Sequence, residues 1–427
     1  MITDLAAYLD RSPSPFHAVQ SAVELLMASG FSEVLEQQLT PRGPGRYFAR
    51  RSGSLVAWST EHEPDPARGF RVVGAHTDSP NLRLKPNPDT HSAGWQGLGV
   101  EVYGGPLLSS WLDRDLGVSG RAVLRDGTDT VTRLFALDEP LLRISQLAIH
   151  LNRELHTEGL QLNPQRHLVP HWGLGTQPGN FAGFLAEQLE VSPRDLLAWE
   201  AMTHDLTPAR VIGRDRDLLA SARLDNLATC HAAVRALLAR CDHGLEDAAA
   251  PTPVIVLFDH EEVGSTSASG AQSTLLPGWL ERIVTTRGGG REDYLRAMAG
   301  TIVASADMTH ATHPNYPEKH DGLHPVRMNG GPVIKVNAQE RYATDSRGAA
   351  AFAVACEQAG VARQTFVNRT DLPCGSTVGP MTAAATGATV VDVGAATLSM
   401  HSAREVCGVA DHGTYIAALT AFLEPVG

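Results

Sequence analysis

Val254-Ile255-Val256-Leu257-Phe258-Asp259-His260-Glu261-Glu262-Val263-Gly264 is the stretch on which the reading of this chain turns. An unbroken apolar run of this length, with no polar alternation, marks a strand buried on both faces, as in a parallel sheet. Two adjacent glutamates follow it directly. Like charges side by side at the edge of a low-dielectric core repel each other, so a cation close by is the expected compensation.

Four more stretches pair an apolar run or helix start with a ligand-type side chain. They are Val72-Val73-Gly74-Ala75-His76-Thr77-Asp78, Arg223-Leu224-Asp225-Asn226, Ile302-Val303-Ala304-Ser305-Ala306-Asp307, and Val390-Val391-Asp392-Val393 leading to His401. Open α/β sheets gather ligands at the carboxyl ends of their strands, and His76, Glu262 and Asp307 are each placed there. Asp225, at a helix start, can lie at the same edge. Two histidines and three carboxylates suit two divalent ions, zinc first, with cobalt or manganese as alternatives. Two ions roughly 3.5–4 Å apart need a shared ligand, which a carboxylate such as Asp225 can supply. Asp78, two residues after His76, is positioned to accept the second imidazole N–H and fix the tautomer. Singly, each residue has an ordinary alternative: His76 as a structural histidine, Asp225 as a helix cap. Their coincidence with a glutamate pair favours a two-metal hydrolase.

Competing motifs are incomplete. His260-Glu261-Glu262-Val263-Gly264 opens like H-E-x-x-H but carries Gly264 in place of the second histidine. There is no G-x-x-x-x-G-K-[ST], and Ser265-Thr266-Ser267-Ala268-Ser269 lacks the G-x-S-x-G elbow.

With 427 residues, 43% of them hydrophobic, the chain can bury a large core, and two domains are expected. A net charge of −12 argues against a nucleic-acid or anionic-membrane binder. No apolar run approaches the roughly 20 residues of a membrane span. Met1-Ile2-Thr3-Asp4-Leu5 lacks the basic and apolar regions of a secretory signal, and the five cysteines include no C-x-x-C pair. A cytoplasmic protein with reduced thiols is therefore expected.

Three regions differ in texture. Residues 1–90 open with Ser12-Pro13-Ser14-Pro15 and a helix-period run, Phe16, Val19, Val23 and Leu26. Residues 91–218 alternate and turn, with Asp126-Gly127 as a hairpin signal, which predicts a β-rich module. Near its end Ser192-Pro193-Arg194-Asp195 before Leu196-Leu197 predicts a capped helix. Residues 219–427 alternate helix and buried strand. Since His76 precedes the β-rich region and the other candidate ligands follow it, that region is expected to be an insertion into one α/β, mainly parallel-sheet catalytic domain.

Ser12-Pro13-Ser14-Pro15-Phe16-His17-Ala18, Gly74-Ala75-His76-Thr77-Asp78-Ser79-Pro80 and Ser221-Ala222-Arg223-Leu224-Asp225-Asn226 resemble the aspartyl aminopeptidase family of metallopeptidases. So do Glu261-Glu262-Val263-Gly264-Ser265, Asp307-Met308-Thr309-His310, His313-Pro314-Asn315-Tyr316-Pro317, Gly375-Ser376-Thr377-Val378-Gly379-Pro380 and Met400-His401-Ser402. The resemblance spans nearly the whole chain. It implies His76, Asp225, Glu262, Asp307 and His401 as ligands of two metals, with Asp225 bridging. It implies Glu261 as general base and Asp78 as the residue orienting His76. The β-rich insertion would be a dimerisation domain within a dodecamer, with His150 reaching a neighbouring subunit's active site. Peptides with an acidic N-terminal residue are the implied substrates. For these a local cation is required in so acidic a protein. Lys335, in Val333-Ile334-Lys335-Val336, is the candidate, because an unpaired lysine in mid-strand is unfavourable. A related dinuclear amidohydrolase or carboxypeptidase could use the same ligands. A metal-stabilised assembly protein would need them too, but would have no need of Glu261.

Overall fold

The computed structural model describes residues 1–243 and 250–425. The chain divides into two compact units. The first comprises residues 1–78, 209–400 and 405–427, and the second residues 79–208 and 401–404.

In the first unit a nine-stranded mixed sheet is parallel at its centre. Thr252–Phe258, Phe70–His76, Ile302–Ala306 and Thr389–Gly394 lie side by side and parallel. Val333–Val336 then runs antiparallel to Thr389–Gly394, placing Lys335 directly opposite Asp392. Alternate side chains of the central strands feed two separate cores. Val73, Ala75, Ile255 and Leu257 pack with helices that include Pro15–Ala28, Leu224–Asp242 and Val409–Leu423. Val72, Val254, Val256 and Phe258 pack on the other side, with Leu275–Thr286 and Arg291–Gly300. Burial of both faces is why these strands read as continuous apolar runs. A smaller five-stranded sheet, which includes Thr309–His310 and Ala396–Leu398, completes this unit.

The second unit is built on a six-stranded antiparallel sheet around Leu82, Leu98, Trp111, Phe135 and Phe181. Its strands Leu116–Asp126 and Asp129–Leu142 form the hairpin signalled by Asp126-Gly127. The predicted helix after Ser192 is absent: Leu196–Asp205 is a strand paired antiparallel with Leu116–Asp126. Ser192 to Asp195 is instead a turn, closed by the Asp195 N–H on the Ser192 carbonyl at 2.8 Å. Leu-Leu-Ala-Trp-Glu-Ala-Met is locally helix-forming, and cross-strand pairing overrides it. The units meet in sequence at Asp78/Ser79 and Pro208/Ala209 rather than near 90 and 218. The reason is pairing: Asn81–Ser92 joins the antiparallel sheet, while Arg210–Ile212 and Leu218–Ser221 belong to the five-stranded one.

Candidate active site

Three of the central parallel strands end at the candidate ligands. His76 is the last residue of its strand, Asp307 follows Ala306, and Glu261 and Glu262 follow Phe258 by a short turn. That turn is a single stretch of 3-10 helix, Glu261–Val263, between His260 and Gly264, both in the left-handed region at φ 65° and 95°. Gly264 takes that conformation without cost, whereas for His260 it is uncommon and strained. Asp225 opens the helix Leu224–Asp242 with non-helical torsions, and its backbone N–H is held by the Glu405 carboxylate at 2.9 Å. Asn226 donates to the Ala306 carbonyl at 2.9 Å, tying that helix start to the strand before Asp307.

These elements bring carboxylates around one buried imidazole. His76 Nε2 lies 3.3 Å from Asp225 Oδ1, 3.5 Å from Asp307 Oδ1 and 4.0 Å from Glu261 Oε2. Donor atoms of His76, Asp225 and Asp307 all lie within 4.8 Å of one another, as do those of His76, Glu261 and Glu262. His76 Nδ1 is 3.0 Å from the Asp78 carbonyl oxygen, which can only accept, so Nδ1 carries the proton. Nε2 then turns a lone pair toward two carboxylates, a repulsive contact unless a proton or a metal ion stands between. Burial opposes a charged His76, yet the carboxylates of Asp225, Asp307 and Asp78 outweigh it and hold the imidazole well above its usual range. Glu261 is pushed up to about 8, chiefly by burial. His76 pulls it down, while Asp307, Asp78 and Asp225 raise it further. Such a set of hard oxygen donors with an imidazole fits zinc.

Asp78 meets His76 through its backbone carbonyl and also serves the glutamate turn. Its carboxylate is 3.5 Å from His76 Nδ1, farther than its own carbonyl oxygen, and accepts the backbone N–H groups of Glu261 and Glu262, each at 3.1 Å.

Lys335 is neither unpaired nor at an exposed edge. It is 2% exposed, and its Nζ lies 2.7 Å from Asp392 Oδ1, 3.1 Å from the Met308 carbonyl and 3.9 Å from Asp307 Oδ2. Burial would discharge the lysine, but Asp392 and Asp307 keep its ammonium protonated more firmly than usual. Asp392, fully buried, also accepts from Ser305 Oγ at 2.6 Å and from Thr377 Oγ1. Sequence reasoning marked Asp392 only as part of the run before His401 and missed this pairing, whose signal was a buried-type aspartate inside an apolar strand.

His401 and His150 are counted with the second unit. His401 Nδ1 lies 3.0 Å from the Gly105 carbonyl, so Nε2 carries the lone pair. His150 is exposed on the turn Ile149–Leu151.

Comparison with known proteins gives the family. The family described as Aminopeptidase I zinc metalloprotease (M18) matches residues 8–423. The probable M18 family aminopeptidase 2 of Mycobacterium bovis is 52% identical over 98% of this chain and 97% of its own. The probable M18 family aminopeptidase 2 of Streptomyces coelicolor is 50% identical over 99% and 97%. Among solved structures, a chain of the Ape4 and Nbr1 complex superposes with a TM-score of 0.95 at 35% identity, covering 99% of this chain and 85% of that one. The S. cerevisiae mApe1 dodecamer gives a TM-score of 0.86 at 25% identity, covering 99% and 96%. The chain belongs to the M18 family of zinc metalloproteases, aminopeptidases of the aminopeptidase I and aspartyl aminopeptidase type that hydrolyse peptide bonds.

Proposed function

We propose that the protein is a two-zinc aminopeptidase that removes single N-terminal residues from peptides, Asp and Glu before others. The observation that carries this reading is the approach of Asp225 and Asp307 to the buried Nε2 of His76. His76, Asp225, Glu262, Asp307 and His401 are the proposed ligands, with Asp225 shared; the His401 tautomer suits ligation through Nε2. Bound zinc supplies polarisation of the scissile carbonyl and eases deprotonation of water. Burial pushes the Glu261 carboxyl up to about 8 in the metal-free site, and Glu261 takes the proton of the attacking water and returns it to the leaving amine. Asp78 holds the turn that aims Glu261.

The acidic preference is assigned to Lys335. An ammonium has three donors, and Asp392 and the Met308 carbonyl engage two, so a substrate carboxylate would meet the third. Self-association to a dodecamer, the form in which mApe1 is described, is supported by exposed Leu147, Ile149 and Leu151, at 55%, 41% and 74%, flanking His150. A partner copy covering this apolar run would carry His150 toward a neighbouring site. All five cysteines are free, as suits a cytoplasmic protein, and no helix among the described residues is long and apolar enough to cross a membrane.

Hydrolysis of Asp-, Glu- and Leu-p-nitroanilide before and after chelation tests the proposal. Acidic substrates should turn over faster, lose activity with the metal and regain it when zinc is added back. Chelation-resistant turnover, or equal rates with the leucyl substrate, would overturn it.

A further inference from the structure

Beyond the catalytic cluster the first unit holds a cavity of about 260 Å³ lined by His310, His313, Tyr316, Lys319, His320 and Thr397, among others. No acidic side chain lines it among the described residues. Two of its histidines each use one ring nitrogen to accept a backbone N–H. His320 Nε2 accepts the His313 backbone N–H at 3.0 Å, which leaves the ring proton on Nδ1. His313 Nδ1 accepts the Asn315 N–H at 3.1 Å, which leaves the proton on Nε2. The His313 ring is fixed further against Tyr316, centroid to centroid 5.0 Å. The lining therefore offers two imidazole N–H donors, a phenol and the Lys319 ammonium, in a protein whose net charge is −12. A concavity that holds a lysine ammonium and imidazole N–H groups, with no carboxylate among its described lining residues, favours an anion over a cation.

Position says which anion. His310, the last residue of the short strand Thr309–His310, stands three residues beyond the candidate ligand Asp307, at most about 10 Å of chain. An extended peptide advances about 3.3–3.6 Å per residue. A substrate with its scissile bond at the metals thus brings its second or third leaving-side residue to this distance.

We infer that the cavity lined by His313, Tyr316, Lys319 and His320 is a subsite for a carboxylate on the leaving part of the peptide, either the C-terminal carboxylate of a short peptide or an acidic side chain there. This rests on the aminopeptidase reading above, and it favours short substrates, whose C-terminus falls within reach of the cavity.

Calorimetric titration of the full-length, zinc-loaded Glu261→Gln protein with Glu-Ala-Ala, Glu-Ala-Ala amide and Glu-Ala-Asp amide tests it without turnover. At least one carboxylate-bearing peptide should bind about tenfold tighter than the plain amide. The one that does identifies the source of the carboxylate. Lys319→Met should bring that ratio close to one, and Lys319→Arg should restore it. Equal binding of all three peptides, or a preference that survives Lys319→Met, overturns the subsite. Hydrolysis of Glu-p-nitroanilide by the unmutated enzyme reports separately on the aminopeptidase reading. Its absence with the binding preference intact would reject that reading and leave the carboxylate site standing.

Discussion

The carboxylate of Asp78 accepts the backbone N–H groups of Glu261 and Glu262, both at 3.1 Å, and so fixes the turn that presents the two glutamates. Through its carbonyl oxygen the same residue sets the proton on His76 Nδ1. Asp78→Asn keeps the shape but can offer only one oxygen, and its amide would face an N–H group. We expect kcat to fall about 10–100-fold with zinc content largely kept, measured by steady-state kinetics and metal analysis. Unchanged kcat would show that the turn needs no anchor.

Removing zinc should cost stability as well as activity. Without a cation, Asp225, Asp307, Glu261 and Glu262 crowd His76. A ligand bound only by the folded state stabilises it by mass action. Calorimetric scans of metal-free and zinc-reloaded protein should differ by several degrees in Tm, the reloaded form being higher. Coincident scans would contradict this.

The pair Lys335–Asp392 is buried on both sides. Breaking one partner leaves an uncompensated charge, a loss on the order of 3–5 kcal/mol. Lys335→Met and Asp392→Asn should each lower the denaturation midpoint, while Lys335→Met with Asp392→Leu should destabilise less than the sum of its single changes. Lys335→Met should also erase the preference for Glu- over Leu-p-nitroanilide. A stable Lys335→Met variant that keeps the preference would release the lysine from both roles.

His231 and His412 share a buried hydrogen bond of 2.9 Å, and His231 also meets Asp4 at 2.9 Å. Burial lowers His231 to about 4, although Asp4 raises it. Burial, together with His231, lowers His412 to about 3. Groups whose folded pKa lies below the unfolded value of 6.5 stay neutral in the fold. Their stability is whole above pH 6.5 and is lost as pH falls toward 4 and 3. His76, raised in the metal-free site, has the opposite sign, so the comparison must be between variants in one metal state. Zinc-loaded His412→Gln should lose less denaturation free energy than the unmutated protein between pH 6.5 and 4.5. Parallel curves would exclude the pair as a source of acid sensitivity.

How far the sequence could be read depended on the range of the interaction. Val254 to Leu257 and Val72 to Ala75 announced strands buried on both faces, and the residues after them lie where parallel strands end. Period and position alone carry that information. The helix read after Ser192 failed because Leu196–Asp205 takes its conformation from pairing with Leu116–Asp126, about which local propensity is silent. Lys335 looked unpaired because Asp392, its cross-strand neighbour, is far along the chain, and register cannot be read from one strand. Asp78 was seen as a partner of His76, but its hold on the glutamate turn depends on Phe70–His76 lying beside Thr252–Phe258.

The central claim is that adjacent glutamates divide the work, with Glu262 holding metal while Glu261 moves the proton. The most direct measurement is kcat for Glu-p-nitroanilide together with zinc content in Glu261→Gln. The predicted result is a loss of roughly 10²–10⁴-fold in kcat with zinc content and Tm retained. Near-normal turnover, or loss of zinc along with activity, would contradict it.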